Sequence, residues 1–218
     1  MTLKNIVVLI SGRGTNLEAV LQAAADERWD EHPGAHVAAV ISNRADAAGL
    51  ELARAAGVPW HVVSHTEYGS RESFEEALAR TVDRYSPAVV VLAGFMRVLT
   101  AGFVRRYEGR LVNIHPSLLP LFPGLFTHRQ ALAAGVRIHG ATVHFVSTEV
   151  DSGAIIAQAA VPVQPGDDEE RLAARVLVEE HRLLPRAVKL VLEGRVCFDS
   201  ERVVLDGVSP NELSLLAA

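Results

Sequence analysis

The stretch IVVLISGRGTNL, at positions 6–17, predicts how this 218-residue chain begins to fold. Its first five residues are uncharged and mostly β-branched, which is typical of a strand buried on both faces of a parallel sheet. A glycine-rich turn follows at Ser11–Gly14, and apolar residues then recur at helical spacing from Leu17 onward. We therefore expect a buried strand, a tight turn and a helix in direct succession.

The same alternation continues through the first half of the chain. Short apolar strands are expected at 37–42, 60–63, 88–93 and 111–115, with helices at 45–56 and, after the N-cap Ser70, to about Tyr85. Alternating strands and helices predict an α/β fold with a Rossmann-like, open, mostly parallel sheet and helices on both of its faces.

The pattern changes in the C-terminal half. A helix at 127–134 precedes two alternating segments at 141–146 and 154–163, whose polar connection predicts an antiparallel addition to the sheet. Asp167 and Glu170 have the spacing of a capping box for a long helix ending near Glu193, which Pro185 should kink. We expect two short strand-like pieces after Arg195 and fraying after Pro210.

Composition excludes several classes of protein. The net charge is −5 without a basic block, so neither a nucleic acid nor an anionic membrane is an expected partner. No stretch approaches the roughly 20 apolar residues of a membrane span, and the N-terminus lacks a signal-peptide core. A single cysteine, Cys197, rules out an internal disulfide and suits a reducing compartment, so we expect a cytoplasmic protein.

The turn at Ser11–Asn16 is a candidate anion site, because backbone N–H groups and the helix dipole favour a phosphate there. A dinucleotide fingerprint would need a glycine at Leu17 and an acid after the second strand, which ends instead in Ser42-Asn43-Arg44. NAD is therefore disfavoured, and Arg44 leaves NADP as a minor alternative. A mononucleotide phosphate is the preferred ligand, and a plain tight turn is the alternative.

Asn113 and His115 are two apart on a predicted strand, so their side chains share one face at its carboxyl end. An amide and an imidazole can both donate hydrogen bonds to a developing oxyanion. The alternative is a polar strand end that has no role in chemistry. Asp151 alone indicates only a turn, and it becomes functional if it lies near His115 and orients that ring.

Glu180 falls within the apolar stripe of the long helix, where a carboxylate needs an ionic partner or a polar ligand. Its neighbour Glu179 is expected to reach solvent. Nine histidines are present, but no HExxH or Cys/His cluster occurs, so we expect no metal.

Several blocks together resemble one family. They are Ile6–Leu17, VVVLAGFMRVL at 89–99, LVNIHPSLLP at 111–120, PGLFTHRQAL at 123–132 and HGATVHFVSTEVDSG at 139–153. In this order they are similar to the phosphoribosylglycinamide formyltransferases of the folate-dependent formyltransferase family. Arg13 and Phe126 depart from what relatives often carry at those positions.

The resemblance implies the site. The ribonucleotide phosphate would be held by Gly14, Thr15 and Asn16, and its sugar hydroxyls by Glu180. The folate-binding residues would be Arg71, Met96, Arg97, Val98, Leu99 and Asn113, with the loop Ser147–Asp151 beside the pterin. Asn113, His115 and Asp151 would form the catalytic trio.

The resemblance also implies the reaction and the organisation of the chain. Formyl transfer from the co-substrate 10-formyltetrahydrofolate to the amine of glycinamide ribonucleotide, in de novo purine biosynthesis, would proceed by direct attack without a metal. We expect one domain over 1–218, with a nucleotide-binding half (1–115), a folate and catalytic half (116–200) and a C-terminal tail (201–218). The partners would be small molecules only, and the protein a monomer or homodimer.

Other functions stay open at this point. A tRNA formyltransferase should carry a further C-terminal domain and a basic surface, and a formyltetrahydrofolate hydrolase an additional N-terminal domain. A sugar-nucleotide formyltransferase is a third possibility. A Rossmann-type oxidoreductase or sensor would use the glycine turn without needing Asn113 or His115.

Overall fold

A computed structural model describes residues 3–216 of the chain. It divides into two compact units, Met1–Val112 and Asn113–Ala218, and the boundary lies inside one strand. The strand order of the main sheet is β10 (Ser214–Leu216), β7 (Ile155–Pro162), β6 (Ile138–Phe145), β5 (Leu111–His115), β4 (Val89–Leu92), β1 (Lys4–Ile10), β2 (Ala35–Ser42) and β3 (Trp60–Val62). The strands β8 (Val196–Asp199) and β9 (Arg202–Leu205) form a second, two-stranded sheet. The predicted α/β fold class is confirmed.

The first unit alternates strands with helices. Its strands are β1 (Lys4–Ile10), β2 (Ala35–Ser42), β3 (Trp60–Val62) and β4 (Val89–Leu92), and its helices are α1 (Thr15–Asp26), α2 (Gly49–Ala55), α3 (Arg71–Asp83) and α4 (Ala101–Arg106). The strand β1 pairs in parallel with both β2 and β4, and β2 pairs in parallel with β3. All side chains of 6–10 are 0% exposed, as expected for a strand covered on both faces.

The second unit contains the predicted antiparallel addition. Its elements, after β5 (Leu111–His115) at the boundary, are α5 (Thr127–Ala134), β6 (Ile138–Phe145), β7 (Ile155–Pro162), α6 (Glu169–Leu192), β8 (Val196–Asp199), β9 (Arg202–Leu205), α7 (Pro210–Leu213) and β10 (Ser214–Leu216). The strands β6 and β7 are antiparallel, with a register shift between Val143 and His144. No helix among residues 3–216 combines the length and the apolarity that a membrane span requires.

The predicted cap of the long helix is wrong by one residue. Asp168 is the N-cap, and its carboxylate accepts a hydrogen bond from the Arg171 N–H at 2.8 Å. Asp167 is engaged elsewhere, because it accepts two hydrogen bonds from the Arg175 guanidinium, at 2.8 and 3.0 Å, and one from the Gln164 N–H at 2.8 Å. A carboxylate held by a bidentate arginine is not available as a cap.

The prediction of fraying after Pro210 is also wrong for the part of the tail that the structure describes. Residues 214–216 pair in parallel with β7 at the sheet edge. Glu212 accepts from the Arg195 guanidinium at 2.8 and 3.2 Å and from the Ser209 N–H at 2.8 Å. These contacts order the tail, and the tail covers an edge strand that would otherwise present unpaired backbone groups.

We predict that Gly140→Ala strongly destabilises the second unit. A Cβ at this position would lie 1.9 Å from the Ala159 carbonyl oxygen on the paired strand, so the backbone itself would have to move. We expect a loss of about 3 kcal/mol in the free energy of unfolding, measured by urea titration. Gly69→Ala is the matched control, because its Cβ would meet nothing within 4 Å. Equal stability of the two variants would contradict the prediction.

The Asp167–Arg175 ion pair predicts a pH dependence of stability. Arg175 is the main cause that lowers the pKa of Asp167 to about 2, below the ordinary value of about 3.9. A depressed carboxyl pKa stabilises the fold above about pH 4, and this contribution is lost as the pH falls towards 2. Asp167→Asn should therefore be less stable than wild type at pH 7, with the difference closing by pH 2.

Thermal unfolding between pH 7 and pH 2 measures this difference. Asp206→Asn, at an exposed position, is the control for the loss of one negative charge. A gap between wild type and Asp167→Asn that stays constant over this range would show that the ion pair does not contribute.

Candidate active site

The second unit brings together the three residues of the predicted trio. Asn113 and His115 lie on β5, and Asp151 lies in the loop after β6. His115 Nδ1 and Asp151 Oδ2 are 3.3 Å apart, and the side chains are only 6% and 12% exposed. The proximity that would give Asp151 a function is therefore present.

Both ring nitrogens of His115 face acceptors. Nε2 lies 2.9 Å from the carbonyl oxygen of Phe122, and Nδ1 faces the Asp151 carboxylate. A carbonyl and a carboxylate oxygen can only accept, so both contacts are satisfied when the ring carries a proton on each nitrogen. This arrangement is suited to an imidazolium, which can donate a charge-assisted hydrogen bond.

Asp151 is held in place by its backbone and by a second donor. Its φ is +52°, in the left-handed region that aspartate tolerates better than most residues. The Gly124 N–H donates to Oδ2 at 2.8 Å, the same oxygen that faces His115. Gly153, two residues later, has no room for a side chain, since a Cβ would lie 1.7 Å from the Phe145 carbonyl oxygen.

His144 is a site residue that the sequence analysis missed. Its Nδ1 lies 2.9 Å from the Phe145 carbonyl oxygen, which can only accept, so Nδ1 carries the proton. Burial lowers the pKa of His144, which favours the neutral ring. Nε2 is then an acceptor for the Asn113 amide, 3.2 Å away, and it lies 3.8 Å from Asp151 Oδ1. One N–H of the Asn113 amide is thereby oriented, and the other remains for a ligand.

The sequence held only a weak signal for His144. Its position on a strand was expected, but a histidine within an apolar strand is usually a core residue. The register shift just before it changes which face its side chain takes, and bulges of this kind re-aim side chains near functional sites. A strict alternation of residues cannot predict that change.

A pair of histidines in mutual contact lies in the same unit. The rings of His128 and His139 are edge-to-face at 5.2 Å, with Nδ1 and Nε2 3.2 Å apart. Burial lowers the pKa of His139 to about 4, so this ring is neutral near pH 7. Within residues 3–216, no group of three or more His, Cys, Asp or Glu side chains could hold a metal ion.

The segment before α5 exposes apolar side chains. Leu121, Leu125 and Phe126 are 53%, 65% and 61% exposed. Phe126 precedes α5 with φ +58°, and its ring lies 5.0 Å from the Arg129 guanidinium. Phe126, which departs from the family pattern, therefore makes a cation–π contact with Arg129 near the start of this helix.

The acids on α6 are both buried. Glu180 is 8% exposed, as its place in the apolar stripe predicts. The expectation that Glu179 reaches solvent is wrong, because this residue is 4% exposed and accepts two hydrogen bonds from Arg182, at 3.1 Å each. Arg182 follows three residues later on the helix and brings the positive charge to Glu179.

In the first unit, the glycine turn is shaped by close packing. Gly14 is the N-cap of α1 with φ +81°, and a Cβ there would lie 2.5 Å from the Gly49 Cα. Only glycine suits both the backbone angle and this approach. Gly14 has no side chain that could cap α1. The backbone N–H groups in the first turn of α1 therefore receive no side-chain hydrogen bond from the N-cap residue.

Arg44 is already engaged in the described structure. Its guanidinium donates to both carboxylate oxygens of Asp46, at 2.9 and 2.6 Å. A bidentate ion pair leaves this arginine poorly suited to a 2′-phosphate. The NADP alternative is weakened accordingly.

The predicted folate residues of the first unit fall into two places. Met96 and Val98 are 71% and 55% exposed, whereas Leu99 is 8% exposed and can offer a ligand only its backbone. Arg71 is the first residue of α3, exposed, and four residues before Glu75 on the same helix face. Arg97 is half-buried in the same loop as Met96.

Comparison with known proteins supports the resemblance. The model of the formyl transferase family matches residues 4–188. The chain is 49% identical over 203 residues to the phosphoribosylglycinamide formyltransferase of Escherichia coli strain K12, covering 93% of this chain and 94% of the relative.

Solved structures agree with this assignment. Glycinamide ribonucleotide transformylase 1 from Symbiobacterium toebii has a TM-score of 0.88 at 49% identity, covering 94% of this chain and 95% of that one. A formyltetrahydrofolate deformylase from Pseudomonas syringae pv. tomato has a TM-score of 0.84 at 29% identity, covering 94% of this chain and 66% of that one. On the family match and these identities, the chain belongs to the formyl transferase family.

Proposed function

We propose that this protein transfers the formyl group of 10-formyltetrahydrofolate to the amino group of glycinamide ribonucleotide, in de novo purine biosynthesis. The observation that carries the proposal is the near end-to-end similarity to phosphoribosylglycinamide formyltransferases. The contacts of the trio are consistent with acyl-transfer chemistry. The similarity to a deformylase is weaker in identity, so hydrolysis is the second candidate, and the assay below separates the two.

In the proposed mechanism, the amine of the ribonucleotide attacks the formyl carbon and a C–N bond forms. The carbonyl oxygen becomes an oxyanion, which accepts hydrogen bonds from the Asn113 amide and from His115. His115 Nε2 donates to the Phe122 carbonyl in this structure, so the oxyanion would replace that acceptor. Donors placed in advance stabilise such an intermediate without reorganisation during the reaction.

The proton balance assigns a role to Asp151. Attack leaves the amine nitrogen with an excess proton, and the leaving folate nitrogen must gain one as its bond to the formyl carbon breaks. Asp151 stabilises the charged ring of His115 and, through water, helps carry this proton. The products are the formylated ribonucleotide and tetrahydrofolate, and no covalent enzyme intermediate is needed. Holding the two substrates together supplies much of the acceleration.

The remaining roles follow the resemblance. Gly14, Thr15 and Asn16 would bind the ribonucleotide phosphate at the start of α1, where the helix dipole favours an anion. The buried Glu180 would accept hydrogen bonds from the sugar hydroxyls. The folate would contact Asn113 together with a set of first-unit residues, namely Arg71, Met96, Arg97, Val98 and Leu99.

The proposal includes small molecules as the only substrates, without a metal. It places the reaction in the cytoplasm, in a monomer or homodimer.

The first test is formyl transfer by the purified protein. We predict turnover of 10-formyltetrahydrofolate only when glycinamide ribonucleotide is present, followed by the absorbance of the deformylated folate. Turnover without the ribonucleotide would instead establish a hydrolase. No turnover under either condition would overturn the proposed function.

The same assay tests the oxyanion role of Asn113. We predict that Asn113→Ala lowers kcat by about 10²-fold or more, since one oxyanion donor is lost. Asn211→Ala, at an exposed position on α7, should keep wild-type turnover. Near-normal turnover of Asn113→Ala would remove the residue from the mechanism.

A further prediction concerns His144. His144→Phe keeps an aromatic ring but removes the acceptor that orients the Asn113 amide, so kcat should fall about 10-fold or more, as for other supporting contacts around a site. The KM for the ribonucleotide should change little. His61→Phe is the matched control, since His61 also loses a hydrogen bond, its 2.6 Å contact with the Tyr85 hydroxyl. Equal kcat values for the two variants would refute the role of His144.

A further inference from the structure

The loop Gly94–Thr100 in the first unit is fixed near its beginning by Ser11. The Met96 N–H donates to Ser11 Oγ at 2.8 Å, and the Ser11 N–H donates to the Gly94 carbonyl oxygen at 3.2 Å. Ser11 is the residue that follows β1 directly, and its side chain is buried. The loop is therefore tied to the buried carboxyl end of β1.

The direction of these hydrogen bonds is determined. The Ser11 hydroxyl donates to Asn43 Oδ1 at 2.6 Å, and this bond uses its only proton. The oxygen must then act as an acceptor towards Met96. Asn43 is 2% exposed, so water does not compete for these groups. Ser11 is consequently an oriented acceptor whose loss would leave the Met96 N–H without this partner.

The end of the loop is fixed by Glu75 on α3. Its carboxylate is buried, and its two oxygens lie 2.9 and 3.1 Å from the Thr100 backbone nitrogen. The Thr100 hydroxyl also donates to Glu75. A buried carboxylate is costly unless donors satisfy it, and Thr100 supplies both a backbone and a side-chain donor.

Between the contacts with Ser11 and Glu75, the loop exposes apolar side chains to solvent. Met96 and Val98 are among the most exposed large apolar residues of the first unit. Two fixed ends reduce the entropy that a ligand must remove when it binds such a loop. An anchored loop with an exposed apolar face is suited to a ligand that has an apolar surface and backbone-directed polar groups.

We propose that Ser11 and Glu75 are positioning residues for the folate co-substrate, which they serve by fixing the loop Gly94–Thr100 from both ends. The inference rests on the proposed function, in which Met96–Leu99 contact the folate. Neither residue needs to touch the substrate. Because Ser11 also begins the glycine turn, one hydroxyl joins the proposed phosphate loop to the proposed folate loop.

Steady-state kinetics of Ser11→Ala and Glu75→Gln test the proposal. We expect each substitution to raise the KM for 10-formyltetrahydrofolate about 10-fold, the effect of one lost buried hydrogen bond, and to change kcat by less than about threefold. Glu75→Gln should leave the KM for glycinamide ribonucleotide unchanged, because the hydrogen bonds of Glu75 among residues 3–216 go to Thr100, at the end of the loop Gly94–Thr100. A general loss of structure would instead move both KM values and kcat together.

Thr81→Val is the matched control. It removes a buried hydroxyl of the same unit, one that donates to the Ala77 carbonyl within α3, while preserving the side-chain volume. We expect wild-type KM values for this variant. A folate KM for Ser11→Ala and Glu75→Gln that is no higher than that of Thr81→Val would overturn the proposal.

Amide hydrogen exchange gives a readout that does not depend on activity. In the substrate-free protein, the Met96 amide should exchange at least about 10-fold faster in Ser11→Ala than in wild type or Thr81→Val. Unchanged exchange would show that Ser11 does not hold the loop. If wild type shows no formyl transfer, the proposed function fails and the folate role with it, whereas the exchange data still decide whether the anchor exists.

Discussion

The first unit depends on the complete burial of residues 6–10 of β1 between its two parallel neighbours. A strand segment that is buried on both faces keeps its backbone groups satisfied only while both adjacent strands remain paired with it. Its carboxyl end is therefore held between two paired strands. Ser11 leaves the strand at this point, and both the glycine turn and the loop Gly94–Thr100 are attached to it. Rigid strands thus position loops that would otherwise be adaptable.

In the second unit, the comparable constraint is the 3.3 Å approach of His115 Nδ1 to Asp151 Oδ2. It requires a left-handed backbone at Asp151, a donated N–H from Gly124 and a glycine at position 153. Such conformations cost free energy, and they persist where the surrounding structure supports them. These costly conformations lie around the carboxylate of Asp151, and they hold it in the position that faces the His115 ring.

Buried carboxylates recur through the chain, and each described contact shows how the charge is compensated. Glu179 is paired with Arg182, and Asp167 is paired with Arg175. Glu75 accepts hydrogen bonds from the backbone N–H and the hydroxyl of Thr100. In the first two pairs an arginine neutralises the charge and the effect is local. Glu75 instead binds a backbone N–H and a hydroxyl of Thr100. Its carboxylate therefore fixes the end of the loop Gly94–Thr100, which carries the exposed apolar residues.

The amino-acid pattern alone predicted the parallel strands, the antiparallel addition, the place of Asn113 and His115 on one strand, and the burial of Glu180. These features follow from periodicity and from local turn chemistry, which neighbouring residues contain. Four features became visible only in the folded chain: Asp151 lies beside His115, His144 orients Asn113, Asp168 rather than Asp167 caps α6, and residues 214–216 pair with β7. The contacts of Asp151, His144 and residues 214–216 join residues far apart in the chain or depend on a register shift, which no local pattern encodes. The cap of α6 is local, but the choice between two adjacent aspartates depends on the position that Arg175 takes beside Asp167.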